Sequence, residues 1–111
     1  MEQRYKTFQE FWPFYVLEHS KKGTRLLHYI GTNLLFAFLV HALLTGSAWS
    51  ILQGIIAAYG CAWTGHFFIE KNRPATFRYP LFSLIGDFKM YGYTITGRME
   101  KEIERVKLRA I

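Results

Sequence analysis

The chain has 111 residues, half of them hydrophobic and 18% aromatic, with fourteen Lys or Arg against eight Asp or Glu and a formal net charge of +6. That length allows one domain, residues 1–111, and excludes a multidomain architecture. The positive charge comes without a basic recognition stripe, which excludes nucleic acid as the expected partner; it is also segregated, with no Lys, Arg, Asp or Glu between residues 26 and 69, the pattern of a membrane-embedded centre with two polar ends.

Met1, Glu2, Gln3 and Arg4 lead into aromatic and polar residues rather than an apolar core, so no cleavable leader is expected. Phe8, Phe11, Trp12 and Tyr15 recur at helical spacing, but Pro13 cannot donate a backbone hydrogen bond. A short interfacial helix is therefore expected to start at Pro13 and run to His19. Ser20, Lys21 and Lys22 break the pattern, Gly23 supplies a turn and Thr24 a cap for the next helix.

The uncharged stretch is too long for one span and right for two, because a helix crossing the ~30 Å hydrocarbon core needs roughly 20 residues. Spans over about 26–44 and 48–69, turning at Thr45-Gly46-Ser47, form a transmembrane helical hairpin whose backbone bonds close internally. Gly54, Ala58, Cys61, Ala62 and Gly65 give the second span a small-residue face for the first, and Cys61, without a partner cysteine, serves packing. Lys21, Lys22 and Arg25 before the hairpin, and Lys71, Arg73 and Arg78 after it, place both termini on the cytoplasmic side. The membrane would be the inner membrane in a bacterium or the endoplasmic reticulum in a eukaryote. The competing reading is a soluble helical domain with two buried central helices, which a chain this short has little surrounding helix to cover.

Residues 70–80 carry two prolines and no Gly/Ser tether, which reads as an ordered loop. Leu81, Leu84, Ile85, Phe88 and Tyr91 then mark an amphipathic helix lying in the interface. From Arg98 a charged helix follows, with Met99, Ile103 and Val106 on one edge and the pairs Glu102 with Arg105 and Glu104 with Lys107. Its expected role is a solvated or membrane-surface helix. The fold class is all-α.

The four histidines separate by depth. His28 lies eighteen residues before Gly46 and His66 twenty after it, so antiparallel helices bring them to one level near the cytoplasmic mouth, where His19 folds back over them. His41 is thirteen residues beyond His28, roughly 20 Å along the axis, and stays apart. Three converging imidazoles point to iron, zinc, copper or nickel, with Glu70, four residues after His66, as a carboxylate partner and Glu18 and Asp87 as weaker ones. Each histidine taken singly is equally explained as a hydrogen-bonded interhelical side chain. No His-Glu-x-x-His, Cys-x-x-Cys or nucleophile elbow is present.

Phe14-Tyr15-Val16-Leu17-Glu18-His19, Arg25-Leu26-Leu27-His28-Tyr29-Ile30-Gly31-Thr32 and Gly65-His66-Phe67-Phe68-Ile69-Glu70-Lys71-Asn72-Arg73-Pro74-Ala75-Thr76-Phe77, extended by Tyr79-Pro80-Leu81-Phe82-Ser83 and Asp87, resemble the membrane 2-hydroxy fatty acid dioxygenase family over about residues 14–90. The resemblance implies an Fe(II)-dependent enzyme of fatty-acid α-oxidation that uses O2 to shorten a 2-hydroxy fatty acid by one carbon. It implies His19, His28 and His66 as essential histidines and Glu70 or Asp87 as support. The iron ligands are then expected to be the three histidines, with Asn72, Arg73, Arg78 and Asp87 as supporting or substrate-binding residues; Arg73 and Arg78 suit the substrate carboxylate or lipid headgroups. Membrane lipid is an expected partner and a homo-oligomer is compatible. The alternatives are a non-enzymatic structural hairpin and a b-type haem carrier ligated by His28 and His66.

Overall fold

The computed structural model describes residues 5–109, so Met1–Arg4 and the expectation attached to them lie outside the described residues. The elements are all helical: α1 (Phe8–Leu17), α2 (Lys22–Thr45), α3 (Trp49–Thr64) continuing into a π turn (Gly65–Glu70), a 3-10 turn (Ala75–Phe77), α4 (Pro80–Ile95) and α5 (Met99–Arg109). No strand occurs among the described residues.

α1 begins five residues before the expected start, and Pro13 sits inside it. The reason is an N-cap in a Thr-x-x-Glu box: Thr7 Oγ1 accepts from the Glu10 N–H at 3.2 Å, and the Glu10 carboxylate reaches back to the Lys6 N–H, one residue outside the cap, at 3.4 Å. Pro13 is exposed, so the carbonyl it leaves unpaired faces outward. Starting early puts Phe11 and Trp12 in register with Tyr15 and Val16, and all four are buried in an aromatic core with Tyr79, Met90, Met99, Ile103 and Val106.

α5 is therefore not a free solvated helix, because its apolar edge closes this core. Trp12 Nε1 donates to Glu102, which also takes two 2.7 Å bonds from Arg105, the expected i,i+3 pair. Those donors hold the Glu102 carboxyl down to about 2, the Arg105 bonds first and the Trp12 bond after them. A depressed carboxyl contributes stability above its unfolded value of 4.5 and loses it as pH falls through the folded one. Thermal stability should accordingly fall as pH drops from about 4.5 to 2 in the wild type, and Glu102→Gln should remove that part of the acid sensitivity.

α2 and α3 pack antiparallel. Gly46 closes α2 in the left-handed region at φ +72°, its N–H bonding Ala42 O at 2.8 Å. α2 starts at Lys22 rather than after Thr24, so Thr24 lies within the helix and does not cap it; the N-cap position is Lys21. The small-residue face works as close-approach surface: a Cβ on Gly54 would lie 2.9 Å from Phe38 Cβ, and one on Gly31 3.0 Å from both Ala58 O and Cys61 Cβ. Gly31→Val should force the helices apart at a cost of about 1–3 kcal/mol, visible as a lower Tm.

Among the described residues α2 alone is long and apolar enough to cross a bilayer. The expected span 48–69 is divided, with regular α-helix ending at Thr64 and a π turn carrying the chain to Glu70. At the far end His41 Nδ1 lies 2.7 Å from Ser50 Oγ, tying α2 to α3.

Candidate metal centre

His19, His28 and His66 converge where the end of α1, the first turns of α2 and the π turn meet. Each offers a ring nitrogen within 4.8 Å of the others, and all three residues are buried. Ring centroids are 4.5 Å apart for His19 with either neighbour and 5.3 Å for His28 with His66. His41, as its depth required, is not among them.

The hydrogen bonds behind the rings fix their tautomers. His19 Nδ1 lies 2.7 Å from Tyr15 O, and His28 Nδ1 3.1 Å from Thr24 O. Carbonyl oxygens only accept, so each Nδ1 carries the proton. His66 Nδ1 lies 2.7 Å from Asn72 Oδ1. That amide orientation is set independently, because Asn72 Nδ2 donates to Glu18 O at 3.2 Å and to the Glu18 carboxylate at 3.1 Å. Each Nε2 is thereby left as a bare lone pair. His19 Nε2 and His28 Nε2 nevertheless lie 3.1 Å apart, a contact between two acceptors that only a cation makes favourable.

A proton is the wrong cation. Burial first, then the neighbouring imidazoles, push His19 well below its ordinary value and keep it neutral. A metal ion fits better: three neutral, pre-oriented imidazole nitrogens with hydrogen-bonded outer nitrogens are a metal donor set. The cavity they share measures ≈ 10 Å³, on the scale of one small guest.

A fourth element completes its walls. α4 brings Asp87, whose Oδ1 lies 3.9 Å from His28 Nε2 and accepts from Tyr15 OH. Burial raises the Asp87 carboxyl to about 7 against the lowering effect of the Tyr15 hydroxyl. Tyr15 stacks on His19 at 4.1 Å and supplies its carbonyl acceptor. Arg25, buried at the start of α2, donates to His19 O at 2.8 Å and pairs with Glu100 at 2.7 Å, which locks the His19 turn onto α5.

The other expected residues are placed as follows. Glu70 turns to the start of α2, where it accepts from the Lys21 N–H and the Ser20 hydroxyl. Asn72 backs His66, and Glu18 backs Asn72. Arg73 and Arg78 are exposed on the loop before α4. Tyr15 was legible as an aromatic at helical spacing and as part of the Phe14–His19 block, but nothing in the sequence marked its hydroxyl for Asp87.

From His28 and Asp87 a second cavity of ≈ 390 Å³ runs between α2, α3 and α4, lined by Leu35, Ile55, Ala58, Leu84 and Phe88 among others. A polar head position beside the histidines thus continues into an apolar groove.

A protein-family model described as 2-hydroxy-palmitic acid dioxygenase Mpo1-like matches residues 5–99. No curated protein and no solved structure shows significant similarity to the chain.

Proposed function

Because this chain belongs to the Mpo1-like family, we propose that it is an Fe(II)-dependent dioxygenase that uses O2 to shorten a membrane-borne 2-hydroxy fatty acid by one carbon. The observation that carries this reading is the set of three buried imidazoles whose Nδ1 protons are all spent on acceptors. His19, His28 and His66 would hold the iron. Bound there, iron would supply the chemistry of O2 activation.

The chain's own residues do the rest. Tyr15, Thr24 and Asn72 hold the rings in register. The groove between α2, α3 and α4 takes the first part of the acyl tail and aligns the reacting carbons beside the histidines. Asp87 stands at the junction of cavity and groove.

The lipid setting is supported by where the apolar surface lies. Leu43 and Leu44 are 85% and 82% exposed, and Leu81 and Ile85 of α4 face outward while Ser83, Gly86 and Met90 face in. Exposed apolar area on this scale requires a non-aqueous neighbour. α2 and the continuous helical path from α3 through the π turn would cross or deeply enter the bilayer, with α4 in the interface and both termini on the cytoplasmic side. A haem between His28 and His66 is disfavoured, since His19 packs 4.5 Å from each.

The test is O2 uptake by purified protein reconstituted anaerobically with Fe(II), on adding 2-hydroxypalmitate, with palmitate as control. Uptake confined to the hydroxy acid, with pentadecanoate formed, is the expected result. Bound iron without uptake on a range of 2-hydroxy acid chain lengths would overturn the substrate class, and failure to bind iron would overturn the enzyme.

A further inference from the structure

Ser83 and Asp87 stand one turn apart on α4, and both line the cavity of the three histidines. The Ser83 side chain is 2% exposed, and its Oγ has no hydrogen-bond partner among the described residues. A helical hydroxyl ordinarily avoids this by bonding the carbonyl four residues back. Thr94 and Thr96 on the same helix do so, to Met90 O and Gly92 O at 2.8 Å each. Ser83 does not, so a buried hydroxyl is left unpaired in the cavity wall.

The surrounding chemistry fixes what it would meet. The histidine Nδ1 protons are committed, and Tyr15 gives its hydroxyl to Asp87. The histidine Nε2 atoms and the Asp87 carboxyl offer lone pairs. The iron proposed above would take the three Nε2 lone pairs, so a carboxylate brought beside it would face the Asp87 acceptor and, being buried, would need donors from the rest of the wall. Tyr59 and Thr76 lie in the half-buried wall and Trp63 at its exposed rim; among the described residues lining the cavity, Ser83 is the fully buried donor still uncommitted.

We propose that Ser83 is a substrate-binding residue whose hydroxyl donates to a carboxylate oxygen of the bound fatty acid. This rests on the 2-hydroxy acid reading above and adds the residue that recognises the acid's head. Asp87, one turn on, is then positioned to accept from the 2-hydroxyl, so that α4 meets the two oxygen groups with one donor and one acceptor.

The experiment measures equilibrium binding to the full-length, iron-loaded protein in lipid nanodiscs under anaerobic conditions. Wild type, Ser83→Ala and Ser83→Thr are each titrated with 2-hydroxypalmitate and with 2-hexadecanol, which keeps tail and 2-hydroxyl but has a methyl in place of the carboxylate. Circular dichroism and iron content are recorded for every variant, and O2 uptake for the wild type. Ser83→Ala should weaken the acid about 10–100-fold, the worth of a hydrogen bond to a charged group. It should leave 2-hexadecanol within about twofold, because that ligand has no oxygen at C1 to accept from Ser83, and Ser83→Thr should restore acid binding. Equal weakening of both ligands, or no weakening of the acid, overturns the assignment. Ser83-dependent acid binding without O2 uptake would sink the dioxygenase reading and leave Ser83 standing; a wild type that binds no acid would overturn both.

Discussion

Alanine at His66 is expected to abolish iron binding and reduce O2 uptake on 2-hydroxypalmitate to below about 1% of wild type, because even an outer partner of a metal ligand is worth ~10–100-fold. His28→Ala and His19→Ala should do the same. The three rings form one triangle, and removing any one leaves two lone-pair nitrogens that no longer enclose an ion. Helical content should survive each change. His66 lies in the π turn and contacts Asn72 and the other two rings, whereas the aromatic core is built on α1, α4 and α5. His41→Ala is the control: it breaks the bond to Ser50 at the other end of the hairpin, costs about 1 kcal/mol of stability, and should leave iron stoichiometry unchanged. Iron content and uptake measured side by side in the four variants decide the matter, and a loss at His41 as deep as at His66 would sink the three-histidine centre.

What the sequence made legible is what depends on simple repeats. The meeting of His28 and His66 follows from counting along two antiparallel helices with a constant rise, and the α2–α3 pair keeps that rise almost to its end. The close faces at Gly31 and Gly54 follow from residue size alone. Where a local rule met a competing one, the expectation moved. Pro13 argued for a helix start, yet the Thr7 to Glu10 box, equally present in the sequence, starts α1 earlier because it brings two more aromatic rings into the core. Glu70 was expected near His66 on the assumption of 3.6 residues per turn. The π turn changes that angular step, and the carboxylate is delivered to Ser20 and Lys21 instead. No residue type announces a π turn, although such turns gather at functional sites. The apolar stripe of α4 was correctly found, but its direction depends on whether water or lipid lies outside. With Leu81 and Ile85 outward and Leu84 and Phe88 on the groove, Ser83 and Asp87 line the cavity.

Asn72→Ala should lower metal affinity about 10–100-fold while leaving all three imidazoles in place, the loss typical of removing a ligand's outer hydrogen-bond partner. The amide has two tasks. Its oxygen takes the His66 Nδ1 proton and so presents Nε2 to the centre, and its nitrogen ties that arrangement to the Glu18 carbonyl at the end of α1, next to His19. It therefore couples two elements that each carry a ligand. Asn72→Asp separates the tasks: the acceptor for His66 remains, but the donor to Glu18 is lost and two carboxylates are set against each other, Glu18 being already raised by burial. The aspartate variant should thus retain more metal affinity than the alanine variant and yet unfold at a lower temperature. Competitive chelator titration gives the first quantity and thermal denaturation of the apo-protein the second. If alanine at this position bound iron as tightly as wild type, ring packing alone would be orienting His66, and Asn72 would not be what sets its tautomer.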